Sequence, residues 1–133
     1  MANRIAPPPP YYRDLLALSA GLIGEGRHDL AVIVAQMVCE VLSEQMLMPL
    51  LGKRRKALQT FDVHKGKVRH LYTKLTHDPI DKAPFWAMHR THVARRHEVV
   101  HRGRRVSPTE AQESLSVATQ FVDHVENVQR SLA

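Results

Sequence analysis

Along this chain apolar side chains recur at intervals of three and four residues, which predicts a succession of helices. Leu15, Leu18, Leu22 and, at the start, Tyr11 make a first stripe. Residues 24–26 (Gly-Glu-Gly) end it, and either glycine can take the left-handed cap. A second helix is expected over residues 29–51, with Leu30, Ile33, Val34, Met37, Val38, Val41, Met46 and Leu50 on a broad face. Ala31, Val32, Ala35 and Cys39 leave its first half with little polar surface, the composition of a helix central to its domain or shared with a partner. Glu40 and Glu44 are the acids on it, Pro49 marks its last turn and Gly52 follows.

The middle of the chain opens on a basic turn, residues 52–56 (Gly-Lys-Arg-Arg-Lys). A short helix is expected over residues 68–76, with Val68, Leu71, Tyr72 and Leu75 on its face. Residues 77–84 form a loop with two prolines, and nothing in this connection alternates as a strand would. The next helix opens at Pro84 and carries Phe85, Trp86, Met88, Val93, Val99 and Val100 up to a stop at Gly103. The last starts on the capping box Ser107-Pro108-Thr109-Glu110, and Ala111, Leu115, Ala118, Val122 and Val125 trace its face. The fold class is all-α: a bundle of four main helices with a short connecting one. Residues 1–9, with four prolines at 7–10 just before the helices, read as an extended arm to a single domain over 10–133.

Charge sharpens the picture. Residues 53–105 hold 15 of the 19 Lys and Arg and four of the 13 acids, a balance of +11 against −5 elsewhere. A basic middle between acidic ends fits a polyanionic partner, or simply a solvated basic surface. The longest unbroken apolar run, residues 30–35, is far short of the ~20 residues a membrane span needs. The N-terminus lacks the apolar centre of a signal peptide, so a cytoplasmic protein with no membrane association is expected. The lone Cys39 has no internal disulfide partner and reads as an inert core thiol.

Candidate chemistry lies in residues 95–103, Arg-Arg-His-Glu-Val-Val-His-Arg-Gly, where two short patterns overlap. Residues 97–101 match H-E-x-x-H, in which His97 and His101 would bind zinc and Glu98 would act as base. Against it stand the absence of a third ligand at the usual spacing, the flanking cations Arg96 and Arg102, and the lack of a substrate-aligning strand. The other pattern is Arg96-x-x-x-x-His101. Histidine titrates near neutrality and serves as base or acid, while arginine stays charged and presents a planar fork to phosphate. On a helix, Glu98 would lie at the flank of that face and pair with Arg102 or Arg95. Of the remaining histidines, His28, His64, His70, His77 and His124 read as surface or core, and His89 and His92 as packing or surface groups on the motif helix.

Residues 86–122, with Arg96-His97 and His101, Gly103, Ser107-Pro-Thr-Glu-Ala and a periodic last helix, resemble the C-terminal half of a HEPN domain, whose signature is R-x(4–6)-H. The likeness extends over roughly residues 11–130, and His97 stands where many relatives carry Asn or Asp. It implies an all-α, metal-independent endoribonuclease with no cofactor, with Arg96, His101 and His97 catalytic and Arg95, Arg102, Arg104 and Arg105 contacting substrate RNA. It also implies that Glu40 supports Arg96, and that a homodimer brings both motifs to one cleft. Such proteins serve as toxins of toxin–antitoxin or phage-defence systems, or as non-catalytic modules partnered with an antitoxin or a nucleotidyltransferase-like protein. The zinc-protease pattern is the weaker alternative.

Overall fold

The computed structural model describes residues 9–53 and 58–132; the proline-rich arm up to residue 8 and the basic residues 54–56 lie outside them. The fold is all-α. Its helices are α1 (Tyr11–Gly24), α2 (His28–Leu51), α3 (Gly66–Thr76), α4 (Trp86–Arg102) and α5 (Pro108–Leu132), with a 3-10 turn at Ile80–Lys82, and no strand occurs among the described residues. The α2 helix packs against α1, α4 and α5, and α5 also touches α1 and α4.

Three helix boundaries have local causes. Gly26, at φ 76°, closes the α1–α2 turn in a left-handed conformation that glycine adopts without strain. The α4 helix begins at Trp86, whose N–H reaches Ala83 O at 3.0 Å, two residues later than the proline predicts. The capping box forms as expected: Glu110 N–H donates to Ser107 Oγ, and Ser107 N–H to Glu110 Oε1, both at 3.1 Å.

Two inward faces differ from the hydropathy pattern. In α1 the buried side chains are Tyr12, Leu15, Ser19 and Leu22, while Tyr11 and Leu18 are 56% and 50% exposed. The same helical period holds, but Ser19 takes an inward position by donating its hydroxyl to Ala31 O at 2.8 Å. In α2 the buried residues include Ala31, Val32, Ala35, Val38, Cys39, Leu42, Met46 and Leu47, while Leu30, Met37 and Leu50 face outward. With apolar residues almost all round, hydropathy gave that helix no direction. The small side chains face in because they let neighbours approach closely. The α2 helix is apolar and long enough to cross a membrane, yet more than half of its most apolar stretch is buried in the bundle. A core helix acquires that composition for the same reason.

Two apolar clusters make the interior. The larger holds Tyr12, Leu15, Val38, Leu42, Leu47, Tyr72, Trp86, Phe121 and Val125 among others; the smaller holds Val32, Val99, Val106 and Ala111. Between them, in order along α2, α4 and α5, fall the buried polar side chains Gln36, His89, His92, Arg95 and Ser114. This polar layer carries the base of the candidate site.

Candidate functional site

The inward face of α4 is mostly polar: Trp86, His89, His92, Arg95 and Val99 are buried, while the expected core residues Met88 and Val100 are 38% and 44% exposed. His89 is fully enclosed, stacked on Phe121 with ring centroids 5.4 Å apart and tilted against Trp86 at 4.9 Å. Among the described residues neither of its ring nitrogens has a hydrogen-bond partner. Burial pushes the His89 imidazole down to about 4 and that of His92 to about 3, so both are neutral near pH 7.

His92 Nε2 lies 3.1 Å from Gln36 Oε1, and the Gln36 amide nitrogen donates to Glu40 at 3.3 Å. With the amide nitrogen committed to a carboxylate, the Gln36 oxygen must accept, so His92 carries its proton on Nε2. Glu40 therefore reaches α4 through Gln36 and His92, one turn before Arg96. Among the described residues no hydrogen bond or ion pair joins Glu40 to Arg96 itself.

Arg95 is buried and tied to α5. Its guanidinium donates to Glu110 O at 3.1 Å, Ser114 Oγ at 2.8 Å and Glu113 Oε1 at 3.2 Å. Its Nε is 3.6 Å from the Glu110 carboxylate, beyond hydrogen-bond reach. Arg95 thus fastens α4 to α5, in a place where the resemblance implies a substrate contact.

Gly103, at φ 62°, turns the chain out of α4 and returns its N–H to Glu98 O. That turn brings Arg104 back over the helix end. Its guanidinium bridges Glu98 at 3.3 Å and Glu110 at 2.6 Å, so Glu98 pairs with Arg104 in place of the expected Arg102 or Arg95. The Ser107 N–H and then Arg104 hold the Glu110 carboxyl below its usual range. Arg105 is 93% exposed, 3.4 Å from Asp29, and Arg102 is exposed.

His97 and His101 stand one turn apart on the open side of α4, ring centroids 4.5 Å apart and tilted by 47°. Arg96 is half-buried, its Nε enclosed without a hydrogen-bond partner among the described residues. His101 lies five positions after Arg96, which places them about 140° apart around an ideal helix. One chain therefore sets the histidine pair and the arginine on different sides of α4. Among the described residues no group of three or more His, Cys, Asp or Glu side chains is placed to hold a metal ion, so the histidine pair offers two ligands at most. Cys39 is buried, and burial pushes its thiol up, which keeps it unreactive.

No family model, no curated protein and no solved structure matches the chain.

Proposed function

We propose that the protein is a metal-independent endoribonuclease of the HEPN type, a homodimer in which Arg96 and His101 of both chains face one cleft. The observation that carries this reading is a selective pairing of charges. Glu98, Glu110 and Glu113 are engaged by Arg95 and Arg104, which leaves Arg96, His97, His101 and Arg102 with no carboxylate partner among the described residues. Arginines without carboxylate partners among the described residues, on the helix that carries two accessible imidazoles, suit a phosphodiester.

In the proposed reaction His101 takes the proton of a ribose 2′-hydroxyl as that oxygen attacks the phosphorus. The Arg96 fork stabilises the charge gathered on the phosphorane oxygens. The bond to the 5′-oxygen breaks as a second imidazole, His97 or the second chain's His101, supplies its proton. Products carry a 2′,3′-cyclic phosphate and a 5′-hydroxyl. The divergence of Arg96 from His101 within one chain is what a two-fold axis beside α4 would resolve, by setting one copy's arginine opposite the other's histidine. A toxin or phage-defence role, with a neutralising antitoxin, fits such an activity.

A second reading draws on the same divergence: a non-catalytic HEPN module that assembles with a nucleotidyltransferase-like or other protein, with Arg96 used for packing. The test is RNA cleavage by wild type, Arg96→Ala, His101→Ala and Glu98→Gln, with and without EDTA, alongside light scattering. The ribonuclease reading expects a mass of about twice 15.1 kDa, loss of cleavage in folded Arg96→Ala and His101→Ala, and cleavage within a few-fold for Glu98→Gln and for EDTA. Full activity in either alanine variant, or a strict monomer, overturns it. Stoichiometric zinc in the purified protein, with activity lost on chelation or in Glu98→Gln, would favour the zinc protease.

A further inference from the structure

A cleft of about 410 Å³ runs along the outer side of α4, bounded across from it by His64 and Lys65 at the approach to α3. Its lining is His64, Lys65, Arg90, Val93, Ala94, His97, Glu98 and Arg102. The side chains of Lys65, Arg90 and Arg102 are exposed, and no carboxylate among the described residues pairs with them. Glu98, the one acid in the lining, is already held by Arg104 at 3.3 Å. The cleft therefore keeps a net positive field, an apolar floor at Val93 and Ala94, and His97 at its margin.

We infer that this cleft binds one unpaired nucleotide of a single-stranded RNA, its base on Val93, Ala94 and the His64 ring and its flanking phosphates on Lys65, Arg90 and Arg102. The choice of RNA rests on the ribonuclease reading; the choice of a single strand rests on shape. A cleft of this volume is the size of a small-ligand site. A base stacked inside a duplex offers it only an edge, whereas an unpaired base can lie flat against the floor. His97 is shared between this cleft and the His97–His101 pair, so the bound nucleotide would adjoin the bond to be cut. His97 thereby gains a place in substrate alignment.

The test separates binding from cleavage by using a 2′-O-methylated oligoribonucleotide, whose blocked hydroxyl cannot attack. Fluorescence anisotropy compares it as a single strand and as a duplex, on the wild-type chain, Ala94→Trp and the double variant Lys65→Gln/Arg90→Gln. All three side chains are exposed, and unchanged circular dichroism checks the fold. Filling the floor with Ala94→Trp should weaken single-strand binding about tenfold, a loss of the size of one stacked base, and leave the weaker duplex binding unchanged. The double variant should flatten the plot of log affinity against log salt by about 1.4, at ~0.7 for each phosphate contact removed. Affinities within two-fold of wild type in both variants, equal losses for strand and duplex, or no RNA binding by any form each overturn the inference. With cleavage intact, the first two leave the ribonuclease reading standing; cleft-dependent binding without cleavage would sink that reading and keep this one.

Discussion

Replacing Arg95 with alanine tests the division of labour among the arginines of α4. The wild-type guanidinium is 6% exposed, makes three hydrogen bonds to α5 and lies 3.6 Å from a second carboxylate. Breaking a fully buried ion pair costs about 3–5 kcal/mol, because the surviving charge stays buried. Here the survivors are better placed: Glu110 and Glu113 are 27% and 35% exposed, and Glu110 keeps Arg104. The buried Ser114 hydroxyl does lose its partner, worth about 1–3 kcal/mol, and a space opens where the long side chain lay. Together these give about 3 kcal/mol, or a melting temperature lower by roughly 10 °C for a domain of this size. Thermal denaturation followed by circular dichroism measures it, with Arg102→Ala, at an exposed position, as the control, expected within ~0.5 kcal/mol of wild type. Arg102→Ala should instead weaken RNA binding. If Arg95→Ala melts with the wild type yet loses RNA affinity, the guanidinium serves a ligand and the bracing role is refuted.

Acid should destabilise the fold through His89 and His92. Their native values are depressed to about 4 and about 3, against about 6.5 in the unfolded chain, so their contribution is complete above pH 6.5 and is lost as pH falls toward 4. Urea unfolding at pH 7.5 and 5.5 should differ by on the order of 2 kcal/mol, and a flat profile would mean that these rings are not sealed from water. Removing the cap with Ser107→Ala should cost about 1 kcal/mol and Ser107→Gly only a few tenths, read from the same melts; a Ser107→Ala variant that melts with the wild type would argue against the hydroxyl–amide bond.

The helices and their ends were legible in the sequence because they depend on local signals. The α5 start needed only Ser107 and Glu110, three residues apart. Which side of a helix faces inward was harder, since that depends on what the neighbours offer. On α4 a hydropathy pattern assigns His89, His92 and Arg95 outward, yet Gln36 on α2 and Ser114 on α5 supply them with partners. A signal was present: His89 and His92 follow Trp86 at steps of three, so a buried tryptophan carries them inward with it. The accessible pair His97 and His101 could be read from their spacing. The pairing of Arg104 with Glu98 and Glu110 could not, because it depends on the left-handed turn at Gly103 and on how α5 docks. Lys65 gave no sign of its position beside α4, since that comes from the path of the connection before α3.

At the far end of the bundle, Tyr12 and Arg13 at the start of α1 both donate to Glu126 near the end of α5. Arg13 also lies 3.6 Å from Asp123. This clasp has a consequence for how the chain is made. The α1–α2 hairpin can form early during synthesis, but the side of α2 that α5 covers stays bare until residues 108–132 have emerged and swung back. Through that interval the nascent chain displays an apolar helix to its surroundings, the kind of exposure that makes a folding intermediate prone to aggregate.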